Sequence, residues 1–409
     1  MFHSKYLAIL VFASLSTVAN CLHSQQATTP ANQAKWTAPT EKEVAGFVEN
    51  LLQAINEGST EKINELVDWQ AILDRAMRDT NAPKAAEDFR KGFISNIESE
   101  RGFAADLINA FRRGGSYTAL NVRVDKGYGK TLFRLVLPEN GGFNYHDFAV
   151  VKQADGKVRA VNMYVFLNGE SFSETIRRAY LLAAAAEDKQ LADRLSNEEK
   201  VFLDHSEEVT SISAALQSGD FPAVVDEFEK LPAELQKQKF LLILRFMAAQ
   251  KLGKDQFAAA VADFAKLDPE DPCMNMMSID VYMVEKDYDK AIAAITNLEK
   301  RTDNDPFLKL VKSRVYEAKG DNENAKKLVI AAIKQDDLLL DAYWSLLGFC
   351  LLEKDHAKTL EVLKTIDAKF AIQFNDLRTL PQYKDFVASD AFGEWEEYVK
   401  AKPKTAEKQ

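Results

Sequence analysis

Apolar positions between about residues 205 and 370 recur with a period of about 34 residues, shortened once to about 33. Aligning Gly219, Gly253, Lys286, Gly320 and Lys354 brings Ala215, Ala249, Tyr282, Tyr316 and Cys350 into one row. The same offsets align Val224, Ala258, Ala291, Ala325 and Thr359. A further row is Phe228, Ala262, Ile295, Val329 and Leu363, and a last one is Leu231, Ala265, Leu298, Ala332 and Ile366. Self-similarity of this length predicts helical pairs, none able to hide its apolar face until it packs on the next. The spacing predicts five pairs over 205–370. Past 370 the register fails, and Phe386, Phe392, Trp395 and Tyr398 predict capping helices over 371–400, with a disordered tail over 401–409. Residues 170–204 predict a helical bridge, in which Ser173 caps a helix through Ile176, Tyr180 and Leu181.

Upstream, over 40–169, the repeat is absent. Thr40 and Glu43 form a capping box before a stripe of Val44, Phe47, Val48, Leu51, Leu52 and Ile55. A second helix is expected through Ile63, Leu66, Val67, Trp69, Ile72 and Leu73. A third is expected through Phe89, Phe93, Ile97, Phe103, Leu107, Ile108 and Phe111. The period then drops to 2 over residues 117–124, 131–137, 144–152 and 158–167. Gly127 and Gly129, Asn140-Gly141-Gly142 and Asp155-Gly156 separate the runs. The fold class is therefore multidomain: an α+β domain, with helices on a four-stranded antiparallel meander, followed by an all-α array. The last strand is apolar on both faces under strict alternation, with Val161, Met163, Val165 and Leu167 on one and Ala160, Tyr164 and Phe166 on the other. Its second face needs a cover, from a partner copy or from the helices that start near residue 171.

The repeats resemble tetratricopeptide (TPR) repeats, whose pattern sets a large residue, a glycine and a small alanine at fixed positions. Residues 306–339 carry it best, with Tyr316, Gly320, Ala325, Val329 and Ala332. Residues 272–305 and 239–271 follow, and Asp271-Pro272 and Asp305-Pro306 mark two junctions. The resemblance implies a solenoid whose concave face is lined by the first helix of each pair. It would offer Phe240, Ile243 and Met247; Cys273, Met276, Asp280 and Met283; Phe307, Leu310 and Arg314; and Asp341, Trp344 and Leu351, unless these pack inside the array or under the C-terminal cap. The four methionines between 274 and 283 suit varied apolar partners. The basic and asparagine clamp by which the family grips chaperone tails is not seen at these positions. The upstream element order resembles the nuclear-transport-factor-2-like (NTF2-like) α+β cone, without a signature motif.

Composition narrows the partner. The net charge is −10, and the tight basic pairs, Arg112-Arg113, Arg177-Arg178 and Lys326-Lys327, are expected on solvated helix faces. Nucleic acid is not an expected partner. Residues 1–21 have the form of a secretory signal, with Lys5, an apolar core from Tyr6 to Ala19, and small residues before the cut. That core is too short for a transmembrane span. Val18-Ala19-Asn20-Cys21 resembles a bacterial lipoprotein box, with Asn20 departing from it, so the leader is either cleaved and lost or leaves a lipid anchor on Cys21. Residues 22–39 form a flexible tether. Cys273 and Cys350 are expected to be small buried hydrophobes.

Chemistry-bearing residues are sparse. In Tyr145-His146-Asp147, strand alternation keeps His146 off the face of its neighbours. His146 and Asn162 are the candidates for a pocket in the cone, and no cofactor or metal spacing appears. The expected function is a non-catalytic scaffold or adaptor that binds a protein or peptide in the periplasm or envelope. The alternative is a small-ligand binder, or an enzyme of hydrolytic or isomerase type, working from that cone.

Overall fold

The computed structural model describes residues 36–98, 102–137, 142–266 and 271–402. The leader, Cys21, most of the tether, the tip of the Asn140-Gly141-Gly142 turn and the last residues of the tail lie outside this set. The chain forms two compact units, one ending at Val281 and one beginning at Tyr282. Among the described residues no helix is long and apolar enough to cross a membrane.

The first unit opens with α1 (Glu41–Glu57). The Glu43 amide donates to the Thr40 hydroxyl at 3.3 Å, and the Thr40 amide donates to the Glu43 carboxylate at 2.8 Å. This reciprocal cap satisfies two helix-end donors, and the stripe behind it buries Val44, Phe47, Leu51, Ala54 and Ile55. Thr40→Ala is expected to cost about 1 kcal/mol, read as a lower urea midpoint with an unchanged slope.

The two helices expected next are each divided in two. Residues 60–76 form α2 (Thr60–Glu65) and α3 (Trp69–Ala76). Between them the backbone is drawn to the sheet: the Ala160 amide donates to the Leu66 carbonyl and the Asp68 amide to the Ala160 carbonyl, both at 2.8 Å. Asp68 then caps α3 by accepting from the Ala71 amide at 2.9 Å. Gly102, at φ 117°, separates α4 (Pro83–Glu98) from α5 (Phe103–Arg112).

The sheet is an antiparallel meander of five strands in sequential order: β1 (Ser116–Asp125), β2 (Tyr128–Val136), β3 (Phe143–Lys152), β4 (Val158–Val165) and β5 (Glu170–Ser171). The sequence predicts four strands. The last of these stops at Val165 instead of Leu167, passes a 3-10 turn and Gly169, and returns as the two-residue β5.

Strict alternation also fails in β4. Asn162 faces Ala149 while Ala160 faces Val150, so Val161 is an extra residue in a bulge. Ala160 thereby joins Met163 and Val165 in the helix-covered core, whereas Val161 packs with Ala71, Ala149 and Val151 in a separate cluster. The main core is built on Phe47, Leu51, Leu107, Phe133 and Phe148. Helix α6 (Phe172–Glu187) adds Ile176, Tyr180 and Leu181 to this same core. On the second face, Tyr145 is buried against the rings of Phe143 and Phe166.

A long all-helical region follows. After α7 (Leu191–Arg194) and α8 (Asn197–Asp204), the first unit holds the pair α9 (Ser206–Ser218) and α10 (Phe221–Lys230), then the short α11 (Ala233–Gln236). Its next pair is α12 (Lys239–Leu252) and α13 (Lys254–Ala265), and the unit boundary falls within α14 (Pro272–Glu285). The second unit continues with α15 (Tyr288–Arg301), the pair α16 (Pro306–Lys319) and α17 (Asn322–Gln335), and the pair α18 (Leu340–Leu352) and α19 (His356–Phe370). It ends with α20 (Lys384–Val387) and α21 (Asp390–Ala401), and the latter packs on α19.

One turn chemistry recurs at the aligned position. Gly219, Gly253, Lys286, Gly320 and Lys354 all have positive φ, the two lysines included. In four pairs an aspartate follows at once and caps the second helix: Asp220, Asp287, Asp321 and Asp355 accept from backbone amides three residues on. The exception corrects the alignment. Gly253 runs straight into α13 without a side-chain cap, which makes this turn one residue shorter. In α13 the aligned positions are therefore filled by the buried Phe257, Val261 and Phe264, and not by Ala258 and Ala262. With that shift the three rows of second-helix residues are buried in every pair.

Candidate functional site

The two candidates for a pocket in the sheet domain, His146 and Asn162, are not brought together. His146 lies on the core face of β3, opposite Phe133 on β2 and Val165 on β4. Its Nδ1 is 2.9 Å from the Tyr117 hydroxyl and its Nε2 is 3.3 Å from the Asn144 side-chain nitrogen. The rings of Phe103 and Tyr117 flank it, each with its centroid at 5.7 Å. Burial pulls the imidazole pKa down to about 3. So weak a base is badly matched to proton transfer near neutral pH.

Asn162 faces the other way, opposite Ala149. It donates to the Ser173 hydroxyl at 2.8 Å and accepts from the Ser173 amide at 3.2 Å. Ser173 is thus inside the first turn of α6, and Ser171 occupies the N-cap position expected for it. Asp147, also off the His146 face, pairs with Arg123 at 3.0 Å.

Most residues expected along a groove are packed in. In the first unit Ile243, Met247 and Met276 are buried, as is Cys273, whose thiol donates to the Leu167 carbonyl at 3.1 Å. Phe240 is half-buried between the ring of Phe202 and the guanidinium of Arg178, which sits 4.3 Å from its centroid. Asp280 is half-buried, and burial pushes its carboxyl up to about 6. In the second unit Phe307 and Leu310 are buried, while Met283, Arg314 and Leu351 are half-buried.

Helix α18 differs. Trp344 is 37% exposed and Leu352 is 65% exposed, with Asp341 and Gly348 also open. Residues 344, 348 and 352 follow the four-residue step that keeps side chains on one helix face. They form an apolar stripe opposite the buried side of the helix, which takes Ala342, Tyr343, Leu346, Leu347, Phe349 and Cys350. Leu352 escapes the sequence reading because the family register points to its neighbour Leu351.

Sequence reading also misses a polar cavity of roughly 350 Å³ in the first unit, lined by β5, α6 and α8 with Arg78 and Gln238. Arg177 and Arg178, expected on a solvated face, converge here. Arg177 is buried and pairs with Glu199 at 2.5 Å, and it donates to the carbonyls of Ala76 at 3.0 Å and Arg78 at 2.7 Å. Arg178 grips both oxygens of Glu170, and Arg78 pairs with Glu174 at 3.0 Å. Each arginine is met by a glutamate, so the cavity carries little uncompensated charge for a ligand to answer.

This cluster works as a joint between sheet and helices. Beside it, Lys239 donates to the Gly169 carbonyl at 3.0 Å and to Asp271 at 2.5 Å. A Cβ on Gly169 would stand 2.5 Å from the Lys239 side chain, and its φ of 64° already favours glycine. The first helical pairs are therefore keyed to the sheet domain through one tight turn.

Among known protein families and curated proteins the chain has no match.

Proposed function

We propose that this chain is a non-catalytic protein-binding scaffold or adaptor of the tetratricopeptide type, exported to the periplasm or cell envelope. Its helical pairs would stack as a solenoid, and its sheet domain, in the manner of an NTF2-like cone, would serve as the platform. The supporting observation is the open stripe of Trp344, Gly348 and Leu352 on the first helix of the fifth pair. On the tetratricopeptide reading, that helix would belong to the set by which the family contacts peptides. A tryptophan and a leucine on one helix face offer the apolar anchor that peptide recognition requires. The partner is a protein or peptide, and the leader would deliver the chain with or without a lipid on Cys21.

The test is chemical cross-linking in an envelope fraction, followed by capture on the wild-type chain and on the double variant Trp344→Glu, Leu352→Glu. Leu352 is open and Trp344 is partly exposed, so the expected result is that the captured protein is lost while circular dichroism shows the helices retained. Equal capture by the two chains would refute the stripe as the docking face. Met276 is unsuited to the same test, because a charge there would be buried.

A further inference from the structure

The α18 stripe is already partly occupied. After α19 the chain runs through residues 371–376 without regular structure. Ile372 and Phe374 are half-buried while Ala371, Gln373 and Asn375 are exposed, the alternation of an extended segment laid on a surface. The Phe374 ring meets Trp344 edge-on, with centroids 5.6 Å apart at 63°, and meets Trp395 of α21 at 5.4 Å and 89°. Trp395 in turn lies 5.6 Å from Tyr398. One aromatic side chain on an extended strand thus fills a slot walled by two tryptophans.

The strap enters this slot at a local cost. Ala371 has φ 54°, the left-handed region that residues other than glycine avoid. Asp376, two residues after Phe374, leaves the slot to cap the next 3-10 turn through the Arg378 amide at 3.0 Å and to pair with the Arg378 guanidinium.

We propose that residues 371–376 are an internal ligand, and that the slot between Trp344 and Trp395 is where the scaffold receives an extended partner peptide presenting an aromatic side chain. The inference deepens the scaffold reading and rests on it for the partner. The strap shows what chemistry the slot accepts. Tethered by a few residues, it competes at an effective concentration in the millimolar range, so a partner must displace it and its removal must raise apparent affinity.

The probe is a synthetic peptide with the sequence of residues 371–380, labelled at its N-terminus and followed by fluorescence anisotropy. It is titrated with the full wild-type chain and with Phe374→Ala. The expected result is binding at least tenfold tighter to Phe374→Ala, and no binding by a peptide whose own phenylalanine is replaced by alanine. Phe374→Leu, which keeps an apolar filler, should fall between. Equal affinity for wild type and variant overturns the proposal, as does absence of binding to a variant that circular dichroism shows to be folded. Misfolding of both the alanine and leucine variants overturns it too, because the strap would then be part of the core. If the peptide binds as expected but Trp344→Glu, Leu352→Glu still captures its protein, the scaffold reading fails and the slot stands. Loss of capture with no peptide binding is the reverse case.

Discussion

Arg177→Ala should destabilise the first unit by about 3–5 kcal/mol, the range for stripping one partner from a buried ion pair. The Arg177 side chain is only 3% exposed, so water cannot replace what it supplies. Three acceptors lose a donor together: the Glu199 carboxylate, which keeps only the Ser196 amide, and the carbonyls of Ala76 and Arg78. The two carbonyls lie at the end of α3, where a helix leaves acceptors unsatisfied and where a cation is favoured by the helix dipole. Burial pushes the Glu199 carboxyl up, and Arg177 with the Ser196 backbone more than offsets this, holding it below its ordinary value. Without Arg177 that carboxylate would have to take a proton or draw in water.

Arg177→Lys separates charge from shape. A lysine keeps the positive charge but lacks the planar fork that reaches a carboxylate and two carbonyls at once, so it should restore only part of the loss. The measurement is urea unfolding followed by circular dichroism and by tryptophan fluorescence. Because α6 links β5 to α8, both signals should move to lower urea together. A change under 1 kcal/mol for Arg177→Ala, or full recovery with lysine, would refute the role assigned to the joint.

The helical pairs were legible because the same turn is written into the chain five times. A residue that accepts positive φ, followed in most pairs by a capping aspartate, marks where one helix stops and the next begins. Where the marker weakened, at Gly253-Lys254, the alignment slipped by one residue and put Ala258 and Ala262 where Phe257 and Val261 belong. The sheet was legible as strands but not as faces. A bulge at Val161 inverts part of β4, and nothing local in Ala160-Val161-Asn162 announces it, since it arises from the pairing with Ala149 and Val150.

The joint was hidden for a related reason. Arg177 and Arg178 sit on a helix like any surface pair, and only the return of the chain through Glu170 and Glu199 encloses them. Burial in the helical pairs is left open by the period alone. A groove inferred from register alone counts Met276 and Leu310 as surface, because period fixes which residues share a face and not which neighbour covers it.

His146 makes the sheet domain acid-sensitive in a definite direction. Its folded pKa, about 3, lies below the ordinary histidine value of 6.5 because burial penalises the cation. A base depressed in this way contributes its stability fully above pH 6.5. The contribution is lost as the pH falls through 6.5 toward 3, since the unfolded chain then binds the proton that the folded chain refuses. The slope is about 1.4 kcal/mol per pH unit, and the whole span is worth roughly 4–5 kcal/mol.

Other carboxyls partly mask this in the wild type. Burial pushes Asp106 up to about 6, against the pull of Arg113, so below that pH the folded state holds a proton and acid favours it. Asp280 behaves the same way. The comparison must therefore be between chains that differ only at the histidine. In His146→Phe the Tyr117 hydroxyl and Asn144 lose their partner, which should cost about 1–3 kcal/mol at pH 7.5. At pH 4.5 the wild type has itself lost about 2–3 kcal/mol of histidine-linked stability, so the gap should close or reverse. Urea unfolding at the two pH values and fixed ionic strength reads it directly. An unchanged difference would mean that His146 takes up a proton without unfolding, and that the aromatic cage of Phe103 and Tyr117 opens to water instead of excluding it.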